Sequence, residues 1–284
     1  FNTMRFSEKL LQAVGITVLT VDFSELFAAA GRLGESDARV RERLDGLRAY
    51  VPAPDVPAEA LLKMARLGVA IDEWMAANDL HATALQCWES IQKNYGVNAC
   101  GLMSLMSDRL LPSACEVDIT GVAAMYALQL ASGTPSALVD WNNNYAGDPD
   151  KCVLFHCGNW AKSFLCEPQM AYADVLATTL GRENTYGALA GRVPPGPMTF
   201  ARISTDDVNG RIQAYVGEGE FTDDPLKTFG ARAVVHVPGL QKLMKHICKN
   251  GFEHHVAMSA SRTAAPVAEA FETYMGWQTY QHNA

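Results

Sequence analysis

Hydrophobic periodicity changes character once along this chain, at Gly133-Thr134-Pro135, and the change divides the expected fold in two. Upstream, apolar residues recur at helical spacing over Phe6 to Val14, Ser24 to Arg32, Ser36 to Tyr50 and Ala58 to Asn78. A Pro-rich break at Pro52-Ala53-Pro54-Asp55-Val56-Pro57 separates the last two. Ile16 to Val21, Ala82 to Trp88 and Ala99 to Met106 read as strands between these helices. A further apolar helix runs through Ala123, Met125, Leu128 and Leu130. Downstream, Thr199 to Thr205, Arg211 to Val216 and Ala231 to Val237 alternate apolar and polar residues between Gly, Asp and Pro turns, the signature of half-buried antiparallel strands. Pro238 to Lys249 and Thr263 to Met275 return to helical spacing. The expectation is an α/β protein: the end of an open Rossmann-like α/β domain over residues 1–135, then a mostly antiparallel β domain with helices over 136–284.

Composition narrows the function classes. A chain of 284 residues with 49% hydrophobic and 19% charged residues can bury a full core and is not disordered. Its formal net charge of −8, without a Lys/Arg stripe, supplies no field for nucleic acid or an anionic membrane surface. No apolar run reaches the roughly 20 residues that cross a bilayer. Seven cysteines, scattered among apolar residues without a CxxC pair, read as buried thiols in a reducing compartment, so the cytoplasm is the expected location. Val216-Gly217-Glu218-Gly219-Glu220 precedes no helix and Gly181 to Gly191 lacks a Lys-Ser/Thr ending, so neither is a phosphate loop.

Three positions carry metal-ligand chemistry. Glu116 stands at the start of the apolar helix that runs through Ala123, Met125, Leu128 and Leu130, where a first-turn anion also favours the helix N-terminus, a reading that extends to Asp118. Asp140 ends an apolar strand, Ala137-Leu138-Val139-Asp140, where α/β proteins place ligands. His254 and His255 stand together in a strand-like run, and alternation lets only one of them aim at a given site. Two carboxylates and an imidazole suit one divalent cation.

Five motifs in order, Ala84-Leu85-Gln86-Cys87-Trp88, Ala114-Cys115-Glu116-Val117-Asp118, Phe155-His156-Cys157-Gly158, Pro195-Gly196-Pro197-Met198-Thr199 and His254-His255, resemble the L-fucose isomerase family, relatives of L-arabinose isomerase. The resemblance runs from end to end of the chain. It implies a barrel-like second domain and a manganese-dependent aldose-ketose isomerase, with cobalt or magnesium as substitutes. It also implies that Glu116, Asp140 and His255 hold the metal and that the two carboxylates move the proton. His156 is either a further ligand, as in the arabinose branch, or an imidazole satisfied by backbone. Gln86, Trp141 and His254 are the implied sugar contacts, with Gln86 otherwise a strand-end amide and Trp141 otherwise a core filler. The resemblance further implies a monosaccharide such as L-fucose, D-arabinose or L-arabinose, and a homo-oligomer, trimeric or hexameric. Because Phe1-Asn2-Thr3-Met4 aligns with the middle of the family's second domain, the resemblance implies a first domain that this sequence lacks, in a fragment or in a shortened relative.

The implied reaction explains the residue types. Aldose becomes ketose when a proton moves from C2 to C1 through a cis-enediol. That needs an acid, a base, and a cation to neutralise charge on two adjacent oxygens. Two other classes use the same side chains: a metal-dependent hydrolase, favoured by tight zinc binding through several histidines, and a non-catalytic sugar-binding or scaffold relative, recognised by binding without turnover.

Overall fold

Alternation beyond Pro135 produces a closed barrel. The computed structural model describes residues 2–283. Its strands are β1 (Thr83–Ala84), β2 (Ser113–Ala114), β3 (Ser136–Asn144), β4 (Lys151–His156), β5 (Cys166–Tyr172), β6 (Tyr186–Arg192), β7 (Gly196–Asp206), β8 (Arg211–Thr222), β9 (Ala231–His236), β10 (His255–Ser259) and β11 (Gln278–His282). The order β11-β8-β7-β10-β3-β4-β9-β6-β5, with a further β8/β9 pairing, closes a ring β8-β7-β10-β3-β4-β9 in which every neighbour is antiparallel. Closure removes edges that would otherwise template aggregation. β11 joins β8 and β6 joins β9 in parallel outside the ring.

Strands β3, β7, β8 and β10 each separate two apolar faces. Val139, Leu154, Phe200, Val235 and Met258 belong to one buried cluster, and Leu138, Ala201, Ile203, Val216 and Ala257 to a second. The second face is covered by α7 (Ile119–Ser132) and α10 (Ala264–Glu269), whose Val122, Met125, Leu128 and Val267 complete that cluster. The first cluster continues out of the barrel into α4 (Ala58–Ala77) and α6 (Cys100–Asp108). Short polar side chains start the helices: Asp22 caps α2 (Phe23–Arg32) and Asp37 caps α3 (Ala38–Tyr50), each accepting from the backbone N–H two residues on.

Several expectations upstream of Pro135 change. Among the described residues the only sheet there is the two-stranded parallel pair β1/β2, and the run Ala82 to Trp88 contributes two residues to it. Ala99 to Met106 is helix α6, not a strand. Its residues 100–107 are all buried, so the segment carries no periodicity that separates the two choices. Ile16 to Val21 forms no strand, and Ile16 and Val18 pack on the second cluster. Downstream, the strand expected to end at Asp140 runs on as β3 through the exposed Asn142, Asn143 and Asn144.

Candidate metal centre

His255 opens β10 directly opposite Asp140 of β3. Directly paired residues share a face of a sheet, so both side chains leave the barrel wall together. Glu116 approaches from the helical side, in the turn between β2 and α7. His255 Nε2 lies 3.4 Å from Asp140 Oδ1 and 3.6 Å from Glu116 Oε2. Two overlapping sets of donors result, Glu116 with His156 and His255, and Asp140 with His254 and His255, each with its ligand atoms within 4.8 Å of one another.

The turn that presents Glu116 is strained. Glu116 and Val117 have φ of 57° and 54°, the left-handed region that a β-branched residue such as valine strongly avoids. What holds them is local: Val117 N–H donates to Leu85 O (3.2 Å), Asp118 N–H donates to Cys115 O (3.2 Å), and Cys115 is joined to Cys87 by a disulfide. That disulfide corrects the expectation of seven buried thiols, as do the exposed Cys166 and Cys248. Cys87 and Cys115 follow the parallel strands β1 and β2, whose register brings their Cα atoms to 5.7 Å. Glu116 therefore sits before the helix rather than in its first turn, and Asp118 is the N-cap, accepting from Gly121 N–H at 2.7 Å.

Asp118 does more than cap. Its Oδ2 lies 2.9 Å from His255 Nδ1 and is ion-paired with Arg202, both acid and base being fully buried. Burial alone would raise the Asp118 pKa, but Arg202 and His255 hold it well below the usual carboxylate range. An ionised carboxylate only accepts, so Nδ1 of His255 carries a proton, and Nε2 is the ring atom turned towards Glu116 and Asp140. Arg202 also donates to Glu253 Oε2 and Thr120 Oγ1, both at 3.0 Å, and Ser204 Oγ donates to Glu253 Oε1 at 2.9 Å. Sequence reading passed over Arg202 and Glu253. Their one signal was an arginine in the middle of an otherwise apolar strand, Phe200-Ala201-Arg202-Ile203.

Burial sets the remaining charges. It raises the Glu116 pKa, and it raises that of Asp140 to about 6 against the pull of His255. It lowers His156 to about 3 and His254 to about 4, with the neighbouring histidines adding to the effect. His255 Nε2 and His156 Nε2 are buried without a hydrogen-bond partner. A buried polar atom left so costs about 1–3 kcal/mol, which a metal bond would offset. Two carboxylates with raised pKa values, beside His255 Nε2 and the neutral rings of His156 and His254, fit a divalent cation.

The other candidates divide. His254 joins the cluster even though alternation was expected to exclude one histidine: it precedes β10, so strand geometry does not bind it, and its Nε2 is 3.4 Å from Asp140 Oδ1. Trp141 points to the opposite face from Asp140, donating to Tyr215 OH at 3.0 Å and packing edge-on against Phe200. Gln86 is exposed next to the disulfide and makes no side-chain hydrogen bond among the described residues.

Residues 154–282 match the family model for the L-fucose isomerase C-terminal domain. The chain is also similar to proteins named sulfoquinovose isomerase: from Clostridium sp. (strain MSTE9), 28% identical, covering 87% of this chain and 54% of the relative; from Alkalicoccus urumqiensis, 26% identical, covering 88% and 55%; and from Priestia aryabhattai, 24% identical, covering 88% and 55%. The chain spans about half the length of the curated relatives it matches. The matched segment takes in the end of β4 and all of β5 to β11, with His156 and His255 inside it.

Proposed function

We propose that this chain carries the metal-binding and proton-transfer residues of an aldose-ketose isomerase. The observation that carries the reading is the His255 imidazole, fixed by Asp118 at Nδ1 and unpartnered at Nε2, with Glu116 and Asp140 oxygens at 3.6 and 3.4 Å from it. Glu116, Asp140 and His255 would hold a manganese ion, with His156 beside them as a fourth donor. Bound there, the cation would act as a Lewis acid that neutralises charge developing on the oxygens of C1 and C2.

The chain's own residues supply the rest. Isomerisation breaks the C2–H bond and forms a C1–H bond, while one hydroxyl proton passes from O2 to O1. A carboxylate oxygen of the pair Glu116/Asp140 takes the C2 proton and returns it to C1, and the other carboxylate serves the hydroxyl proton. Burial, by raising both pKa values, brings these groups closer to neutrality, where a carboxyl can both accept and give a proton; such assistance is typically worth ~100-fold to ~10,000-fold. His254, half exposed beside Asp140, is placed to contact a sugar hydroxyl.

The names of the relatives favour an aldohexose bearing a 6-sulfonate over L-fucose or an arabinose as substrate. The first test is calorimetric titration of manganese into the chelator-stripped chain and into a Glu116→Gln/Asp140→Asn double variant. One-to-one binding is expected, lost in the variant, and is followed by an aldose panel including sulfoquinovose. Equal binding by both proteins would refute the assignment of these carboxylates.

A further inference from the structure

One row of paired residues crosses the barrel wall from the candidate metal centre. His255 pairs with Asp140, Asp140 with Phe155, Phe155 with Arg232, and Arg232 with Arg192. Paired residues leave a sheet on the same face, so the row runs from two metal-ligand candidates across an aromatic ring to two arginines.

The arginine end is short of counter-charge, since the one carboxylate that feels Arg192, Asp224, is shared with Lys151. Like charges directly opposite each other in a sheet are destabilising. The Arg192 Nη2 donates to the backbone oxygens of Thr222 and Asp224, while the Asp224 carboxylate is engaged by Lys151 at 2.8 Å. Arg232 has no carboxylate partner among the described residues: its Nη1 donates to Gly230 O at 3.0 Å, and its buried Nε donates to nothing. Burial and the Arg192 charge both lower its pKa, as an uncompensated guanidinium requires.

Aromatic rings lie between the two ends. Phe155, which stands in the row itself, and Phe229 meet edge to face at 5.7 Å and, with Cys157 and Gly230, line a small hollow. Phe229 is exposed. Two strand spacings separate the Asp140 and Arg232 backbones, about 10 Å. An extended six-carbon chain spans about 6 Å from C1 to C6, and an arginine side chain closes the remainder.

We propose that Arg232, flanked by Arg192, is the binding site for an anionic substituent at the far end of the sugar, a sulfonate or phosphate on C6. This rests on the isomerase reading and makes Arg232 the residue that selects a charged sugar over a neutral one. A planar guanidinium fork matches a tetrahedral oxyanion with two parallel hydrogen bonds.

The test separates the anion site from the isomerase reading. Methanesulfonate, compared with sodium chloride at equal ionic strength, is expected to raise the melting temperature of the full chain and of Arg232→Lys, but not of Arg232→Gln. Equal responses in wild type and Arg232→Gln, or none in either, would overturn the proposal. Calorimetry in manganese then compares sulfoquinovose, glucose 6-phosphate and glucose. The wild type is expected to bind the better of the two anionic sugars at least ~10-fold more tightly than glucose, with the preferred anion identifying sulfonate or phosphate. In Arg232→Gln that preference should shrink to about twofold, with glucose unaffected. A preference that survives in Arg232→Gln overturns the proposal. A methanesulfonate response confined to proteins with a cation at residue 232, with no sugar bound by any of them, keeps the anion site and removes the isomerase reading.

Discussion

Of the two nitrogens of His255, Nδ1 is held by Asp118 and Nε2 is left without a hydrogen-bond partner, and the consequences can be measured one residue at a time. His255→Ala is expected to abolish manganese binding, whereas His254→Ala should leave one-to-one binding and weaken sugar affinity or turnover; the reverse pattern, read by calorimetry, would exchange their roles. Asp118→Asn removes the ionised acceptor at Nδ1 and is expected to weaken manganese affinity by about 10–100-fold, the range typical of the groups that orient metal-bound histidines. It also leaves Arg202 short of one charge in a fully buried position, so urea denaturation should show a loss of up to about 3–5 kcal/mol. The pH dependence follows from His156. Its pKa is lowered on folding from 6.5 to about 3, so it stays neutral while the unfolded chain takes up a proton. The stability it contributes is complete above pH 6.5 and is lost as pH falls from there towards about 3. Asp140 acts in the opposite sense, adding stability as pH falls from about 6 towards 3.8. His156→Gln should therefore flatten the decline in stability between pH 6.5 and 4 in metal-free protein, measured by denaturant titration. Manganese affinity should fall below about pH 6, as Asp140 takes a proton in competition with the ion.

At the level of elements, the Glu116 turn and the β4 end decide the site. The Cys87–Cys115 disulfide, with a sequence separation of 28, ties together the two loops that follow β1 and β2. By the loop-closure account it contributes about 3–4 kcal/mol, and its reduction should both lower the denaturation midpoint and weaken manganese binding, because the left-handed Glu116 and Val117 then lose one restraint. At the end of β4, Gly158 has φ of 122°, and a Cβ there would stand 2.4 Å from the Leu189 backbone. Gly158→Ala should push β6 away from β4, destabilise the fold and lower manganese affinity through His156. The element expectations that failed did so for related reasons. Helix α6 is buried on every side, and the 16–21 segment uses its alternating residues against a helix-covered face without gaining a ladder. Periodicity reports which residues are covered, not what covers them.

Across the whole molecule, the barrel ring and the helices share one apolar cluster, and the site lies where the Glu116 turn meets the barrel wall. An ion held by both sides stabilises the folded chain, so manganese at a hundred times its dissociation constant should add about 2.7 kcal/mol and raise the melting temperature. No helix of the described residues is long and apolar enough to cross a membrane. What the sequence determined was local or one-dimensional: the helical spacing that becomes residues 23–32, 38–50 and 58–77, the alternating strands after Pro135, the residues Glu116, His156, His254 and His255 that the ordered motifs single out, and Asp140 at the end of its apolar run. Only the tertiary structure decided that β8 pairs with β9 to close the ring, that His254 reaches Asp140, and that Trp141 turns inward. It likewise decided that Cys87 meets Cys115 and that Asp118 and Arg202 lie behind His255. These are contacts between residues up to 137 positions apart, as with Asp118 and His255. Strand register and closure set them, and neither propensity nor local spacing encodes a distance of that kind.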